Sequence, residues 1–248
     1  MLIEQFSYAN RWRRVHPAAK SVFTLCGMIA GFLTRSPTTA LILALLLVTV
    51  TWLGAGIPLK SYLRVSAAPL LFLLVSGTTL AVSVGWQNEF PWICLNSNRE
   101  QLLAASHVAG RSLVCLAAML FLALTTPLND LIALLRRIGF PAVLTDLMTL
   151  CYRTLFVFVE ATHDITTAQA SRLGYATPRL ALRSLGTMVA ALTVQIWQRS
   201  QALQYAALSR ANDGPLCFLT PSYPAVAGSL FVSLLAGGAL ITLAMVPL

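Results

Sequence analysis

Two arginines, each directly behind a serine, are the residues best placed to do chemistry in this sequence. One lies in Ala168-Gln169-Ala170-Ser171-Arg172-Leu173-Gly174-Tyr175, the other in Ala206-Ala207-Leu208-Ser209-Arg210-Ala211-Asn212-Asp213-Gly214. Both segments run through small residues to Ser-Arg and then break within a few residues, so the second weakly repeats the first. An arginine in the last turn of a helix complements the helix dipole, which accounts for either one alone. A guanidinium at a helix end among small residues is also placed to enter a partner's groove and fork onto a carboxylate.

The other candidate groups point away from catalysis. His107 and Arg111 stand four apart and share a helical face. A neighbouring guanidinium repels a divalent cation, so this pair is a poor metal site. Arg111 in an apolar segment is costly in lipid; it snorkels, pairs with a partner carboxylate, or bonds carbonyls inside the bundle, and a structural pairing is favoured. Glu160 and Asp164 also share a face, as solvated charges or partners of Arg153 rather than an acid–base pair. His16, His107 and His163 lie in separate regions, and none of the five cysteines has CxxC or metal-clip spacing. If the protein handles a metal, its ligands are expected mainly on another subunit. There is no GxxxxGK[ST] phosphate loop, so the chain is not expected to hydrolyse ATP or act as an enzyme.

The elements that carry these residues are set by hydropathy. Only 10% of the 248 residues are charged and 57% are hydrophobic. Soluble domains carry about 25% charge, so lipid is the expected solvent for much of the chain. The net charge of +9 fits cytoplasmic loops. No basic arm is interleaved with aromatics, which argues against nucleic acid. Residues 1–20, with Phe6, Tyr8, Trp12 and four basic residues, read as an interfacial, cytoplasmic arm and not as a cleavable leader. Apolar spans are expected at residues 21–34, 38–53, 65–84 and 102–124, and a last one at 225–246. Gly27 and Gly31 in the first have the spacing of close helix packing. Pro69 and Gly77 are expected to kink the third. Trp86 and Trp92 mark an outer loop at 85–101.

Residues 126–221 change character, with eight arginines, no lysine and periodic apolar residues. They read as a cytoplasmic module of one short helix, 128–138, and two long amphipathic helices, 142–175 and 179–211. Helices of that length need partners for their apolar faces. The division is therefore an arm (1–20), four spans (21–125), the module (126–221) and a last span (222–248). The fold class is all-α and polytopic.

Leu124-Thr125-Thr126-Pro127, then Phe140-Pro141, Tyr152-Arg153, Glu160 and the two Ser-Arg ends together resemble the transmembrane T component of energy-coupling factor importers, cobalt type (CbiQ-like). The likeness covers nearly the whole chain and is strongest from Arg111 to Gly214. It implies that the long helices cross, each carrying an Ala-Arg-Gly-like triplet whose arginine docks into one of two cytoplasmic ABC-type ATPase subunits. Here the triplets are Ser171-Arg172-Leu173 and Ser209-Arg210-Ala211; both keep the arginine and lack the usual Ala and Gly, although Gly174 follows one residue later. Further implications are ATP and Mg held by those partners, and a separate substrate-binding membrane S component, with room for a small accessory membrane subunit. The setting implied is the bacterial inner membrane, with the N-terminus in the cytoplasm. Cobalt uptake linked to cobalamin synthesis is the implied role; nickel or a vitamin are alternatives for the same type of subunit. Thr126, Pro127 and the short helix, with Pro141, Arg153 and Glu160, are expected to serve coupling. A stand-alone secondary transporter is disfavoured, because the spans hold almost no acidic residues and the halves show no inverted repeat.

Overall fold

The computed structural model describes residues 2–34, 36–81, 83–85, 94–96, 99–211, 223 and 226–246. Arg35, Trp86, Trp92, the break at Asn212-Asp213-Gly214-Pro215 and the expected boundary at 221/222 lie outside them. The order is α1 (Leu2–Ala9), a 3-10 turn (Arg11–Arg14), α2 (Pro17–Leu33), α3 (Pro37–Thr49) running into a π turn (Val50–Gly54), and α4 (Leu59–Ala81). Then follow β1 (Ser83–Gly85), β2 (Cys94–Asn96), α5 (Arg99–Thr125), α6 (Leu128–Arg137), α7 (Ala142–Ser171), α8 (Pro178–Leu208) and α9 (Val226–Met245). Among the described residues the protein is all-helical apart from the short antiparallel ribbon that pairs Val84 with Leu95. Two compact units form: Met1–Leu134 with Pro221–Leu248, and Leu135–Thr220.

In the first unit, helix starts follow local chemistry. Ser36 and His16 each precede a proline, and their side chains accept from Thr39 N and Ala18 N, closing the first turns of α3 and α2. Helix α5 packs against α2, α3 and α4, and α9 against α2. Small residues bring the helices close at several points along these seams. A Cβ on Gly31 would approach Val114 Cγ1 to 3.0 Å, one on Gly110 would meet Ala40 Cβ at 2.8 Å, and one on Gly237 would meet Cys26 Cβ at 2.7 Å. Gly27 faces Ala118, so the glycine spacing in the first span is packing. Large apolar residues point outward: Phe32 is 65% exposed, Phe72 73% and Phe231 64%. Glycine and alanine contacts beside the larger buried Phe23, Leu43, Leu47 and Phe121, with further large apolar residues outside, suit a bundle dissolved in lipid, where helices gain by close approach.

The N-terminal arm is tied to the rest of the first unit. Trp12 packs edge-on to Phe121, their ring centroids 5.8 Å apart, and a Cβ on Gly54 would run into its indole. Arg11 N donates to Ala55 O, and Arg13 stacks over the Tyr8 ring.

Six segments are long and apolar enough to cross a membrane: Pro37–Gly54, Leu59–Leu80, Leu102–Thr125, Ala142–Ser171, Pro178–Leu208 and Val226–Met245. This set differs from the five expected spans. It includes α7 and α8, and leaves out α2, whose 17 residues extend roughly 25 Å against a core of about 30 Å. In the second unit α7 and α8 are 30 and 31 residues long, roughly 45 Å each at the helical rise. Leu147, Leu155, Leu182, Val189 and Trp197 along them are exposed.

Candidate functional site

The two Ser-Arg segments build the same local structure. Ser171 Oγ donates to Ala168 O at 2.9 Å, and Ser209 Oγ to Ala206 O at 3.0 Å. Arg172 N donates to Gln169 O and Leu173 N to Ala170 O; Arg210 N donates to Ala207 O and Ala211 N to Leu208 O. Leu173 and Ala211 then adopt φ of +57° and +47°, the positive-φ non-glycine residues among those described. A Cβ in that left-handed region costs roughly 1–2 kcal/mol. The strained position is the one after the arginine in both cases, where a glycine would sit without cost. Each turn ends its helix and leaves an exposed guanidinium at the tip. Among the described residues neither the Arg172 nor the Arg210 guanidinium has a hydrogen-bond or ion-pair partner.

The ends differ in what braces them. Gln169 Nε2 donates to Ser184 O and to Thr187 Oγ1, both at 3.0 Å, and Gln169 Oε1 accepts from Tyr175 OH at 2.7 Å. Ser184 Oγ donates to Gly174 O at 2.9 Å, and Gly174 N to Gln169 O at 2.9 Å. A Cβ on Gly174 would come within 2.7 Å of Ser184 Oγ, so the turn accepts only glycine there. Thr177, before Pro178, caps the start of α8.

The junction after α5 is buried. Thr126 and Pro127 are covered, and Pro127 O accepts from Asp130 N and Leu131 N to start α6. The α5 carbonyl end is met from the other end of the sequence: Lys20 Nζ donates to Thr125 O at 2.8 Å, and Asn10 Nδ2 to Thr125 O at 3.0 Å and to Ser7 O at 2.7 Å. Lys20 is 3% exposed. Its ammonium at a helix C-terminus is favourably placed against the dipole. Neither Lys20 nor Asn10 stood out in the sequence, because their partners are 105 and 115 residues away.

Arg111 Nη2 donates to Thr34 O, the C-cap carbonyl of α2, at 3.3 Å. Arg136 and Arg137 end α6, and Arg136 pairs with Asp146 at 3.5 Å. Gly139, at φ +98°, then turns the chain. Pro141 is the N-cap of α7, its carbonyl accepting from Leu144 N and Thr145 N. Arg153 and Glu160 are both exposed on α7. They are seven residues apart, about two turns. Among the described residues no three His, Cys, Asp or Glu side chains gather as a metal site.

A family model described as CbiQ, cobalt transport protein, matches residues 9–216. The cobalt transport protein CbiQ of Rhodobacter capsulatus is 32% identical over 96% of this chain and 98% of its own length. CbiQ of Salmonella typhimurium is 29% identical over 81% of this chain and 92% of its own. A Methanocorpusculum labreanum protein described as a fused cobalt transport protein, CbiMQ, is 27% identical over 95% of this chain, with 41% of its own length matched. A family match over most of the chain, joined to relatives similar along nearly their full length, means that this protein belongs to the CbiQ cobalt transport protein family.

Proposed function

We propose that this chain is the non-catalytic membrane coupling subunit of an ATP-driven cobalt importer of the energy-coupling factor type. Arg172 and Arg210 dock into two cytoplasmic ATPase subunits, which hold the ATP and Mg. Closure of that pair drags α7 and α8, and their exposed apolar faces press on a substrate-binding membrane subunit. The device is a rigid-body switch, effective only insofar as the substrate-binding subunit's two states contact the helices differently.

The observation that carries this reading is the duplicated helix end. Twice, a strained turn presents an exposed guanidinium with no partner within the described chain. A cap alone needs no second copy of such a turn. The uncovered faces of helices α7 and α8 support it too, since amphipathic helices of this length require a cover. The names of the relatives favour cobalt as cargo, and the fused CbiMQ relative fits work beside another membrane subunit.

The test is co-purification of the full chain with a tagged, co-expressed ATPase subunit of the cobalt-transporter type. Each charge-assisted bond is worth about 1.5–3 kcal/mol, so Arg172→Glu with Arg210→Glu should abolish recovery of the complex. Wild-type recovery by the double variant overturns the docking assignment.

A further inference from the structure

Gln169 closes a ring of hydrogen bonds around the first guanidinium tip. Its carboxamide holds α8 through Ser184 O and Thr187 Oγ1, and receives the Tyr175 hydroxyl from the turn. Its backbone carbonyl accepts from Arg172 N and Gly174 N, on either side of the strained Leu173. Ser184 Oγ completes the ring on Gly174 O. One half-buried side chain thereby fixes the end of α7, the turn and the start of α8 as a single piece. The position three before the second arginine is Ala207, whose side chain has no hydrogen-bonding group.

We propose that Gln169 is a positioning residue that pre-sets Arg172 for its partner's groove. This rests on the docking reading above. The backbone that carries Arg172 arrives already set and loses little freedom on binding. Partner affinity should therefore depend on Gln169 through Arg172 alone.

A double-mutant cycle separates positioning from general support. The full chain, in lipid nanodiscs, is titrated with the purified ATPase subunit used above, without nucleotide. Gln169→Ala should weaken binding roughly tenfold, the scale of a hydrogen-bonded constraint. It should weaken binding equally in an Arg210→Ala background and add nothing in an Arg172→Ala background. Tyr175→Phe, which removes a single bond of the ring, should follow the same pattern with a smaller loss, and serves if Gln169→Ala does not fold. Equal losses in both arginine backgrounds, or no loss in either, overturn the proposal while leaving docking intact. If Arg172→Ala itself binds like wild type, the docking reading falls, and this inference with it.

Discussion

At the scale of single residues, the telling feature is where the strain sits. Leu173 and Ala211 adopt left-handed backbone at matching places, directly after the two arginines. Leu173 is 72% exposed, so little packing rewards its bulk. Leu173→Gly should relieve the clash and stabilise the second unit by roughly 0.5–1 kcal/mol, after the added freedom of the unfolded chain is counted. Leu173→Val should act in the opposite sense, because a β-branched residue tolerates positive φ least. Amide exchange at Gly174, whose N–H bonds Gln169 O, should slow in the first variant and quicken in the second; the reverse order would show that the leucine side chain, not its backbone, holds the turn. The serines and arginines of this motif were legible in the sequence as a repeat. The φ angles were not, since neither leucine nor alanine announces a left-handed conformation the way glycine does. Arg111 shows the same limit: its cost in lipid could be read directly, but its acceptor, Thr34 O on another helix, emerged only once α2 and α5 were packed.

At the scale of elements, boundaries with a cap-and-proline signature were readable, and others were not. Ser36-Pro37 and Thr177-Pro178 start α3 and α8 where such pairs should. Helix α4 begins at Leu59, six residues before the expected 65, and carries Lys60 and Arg64 on its first turns. The clasp on α5 was invisible too. Lys20 is one of four basic residues in the N-terminal arm, and its acceptor is remote in sequence. Lys20→Met should leave the bundle folded but take one of two donors from the Thr125 carbonyl, leaving only Asn10 on it, at a cost of about 1–3 kcal/mol. Amide exchange at Asp130 and Leu131, bonded to Pro127 O, should accelerate, and cobalt taken up per ATP hydrolysed should fall. Unchanged exchange there would remove Lys20 from any part in setting the exit of α5.

At the scale of the whole molecule, the fold class could be read from hydropathy alone, whereas the placement of α7 and α8 could not. Length and composition count both among possible spans, while their arginines argue for the cytoplasm. The proposed function needs the cytoplasmic choice. Single cysteines put at Arg172 and Arg210, in a chain cleared of its five native ones, should react with an impermeant maleimide in inside-out vesicles and stay silent in right-side-out ones. Labelling from the outside would refute the coupling role. The glycine seams of the first unit carry a last consequence. Gly31, Gly110 and Gly237 leave less than a methyl's width between neighbouring rods, while the phenylalanines and leucines of the rim are exposed. Evolution can therefore repaint the rim almost at will, swapping one oily group for another, yet must leave the seams nearly untouched. Homologues should drift fastest on the very surface that looks most hydrophobic, an inversion of the rule for proteins dissolved in water.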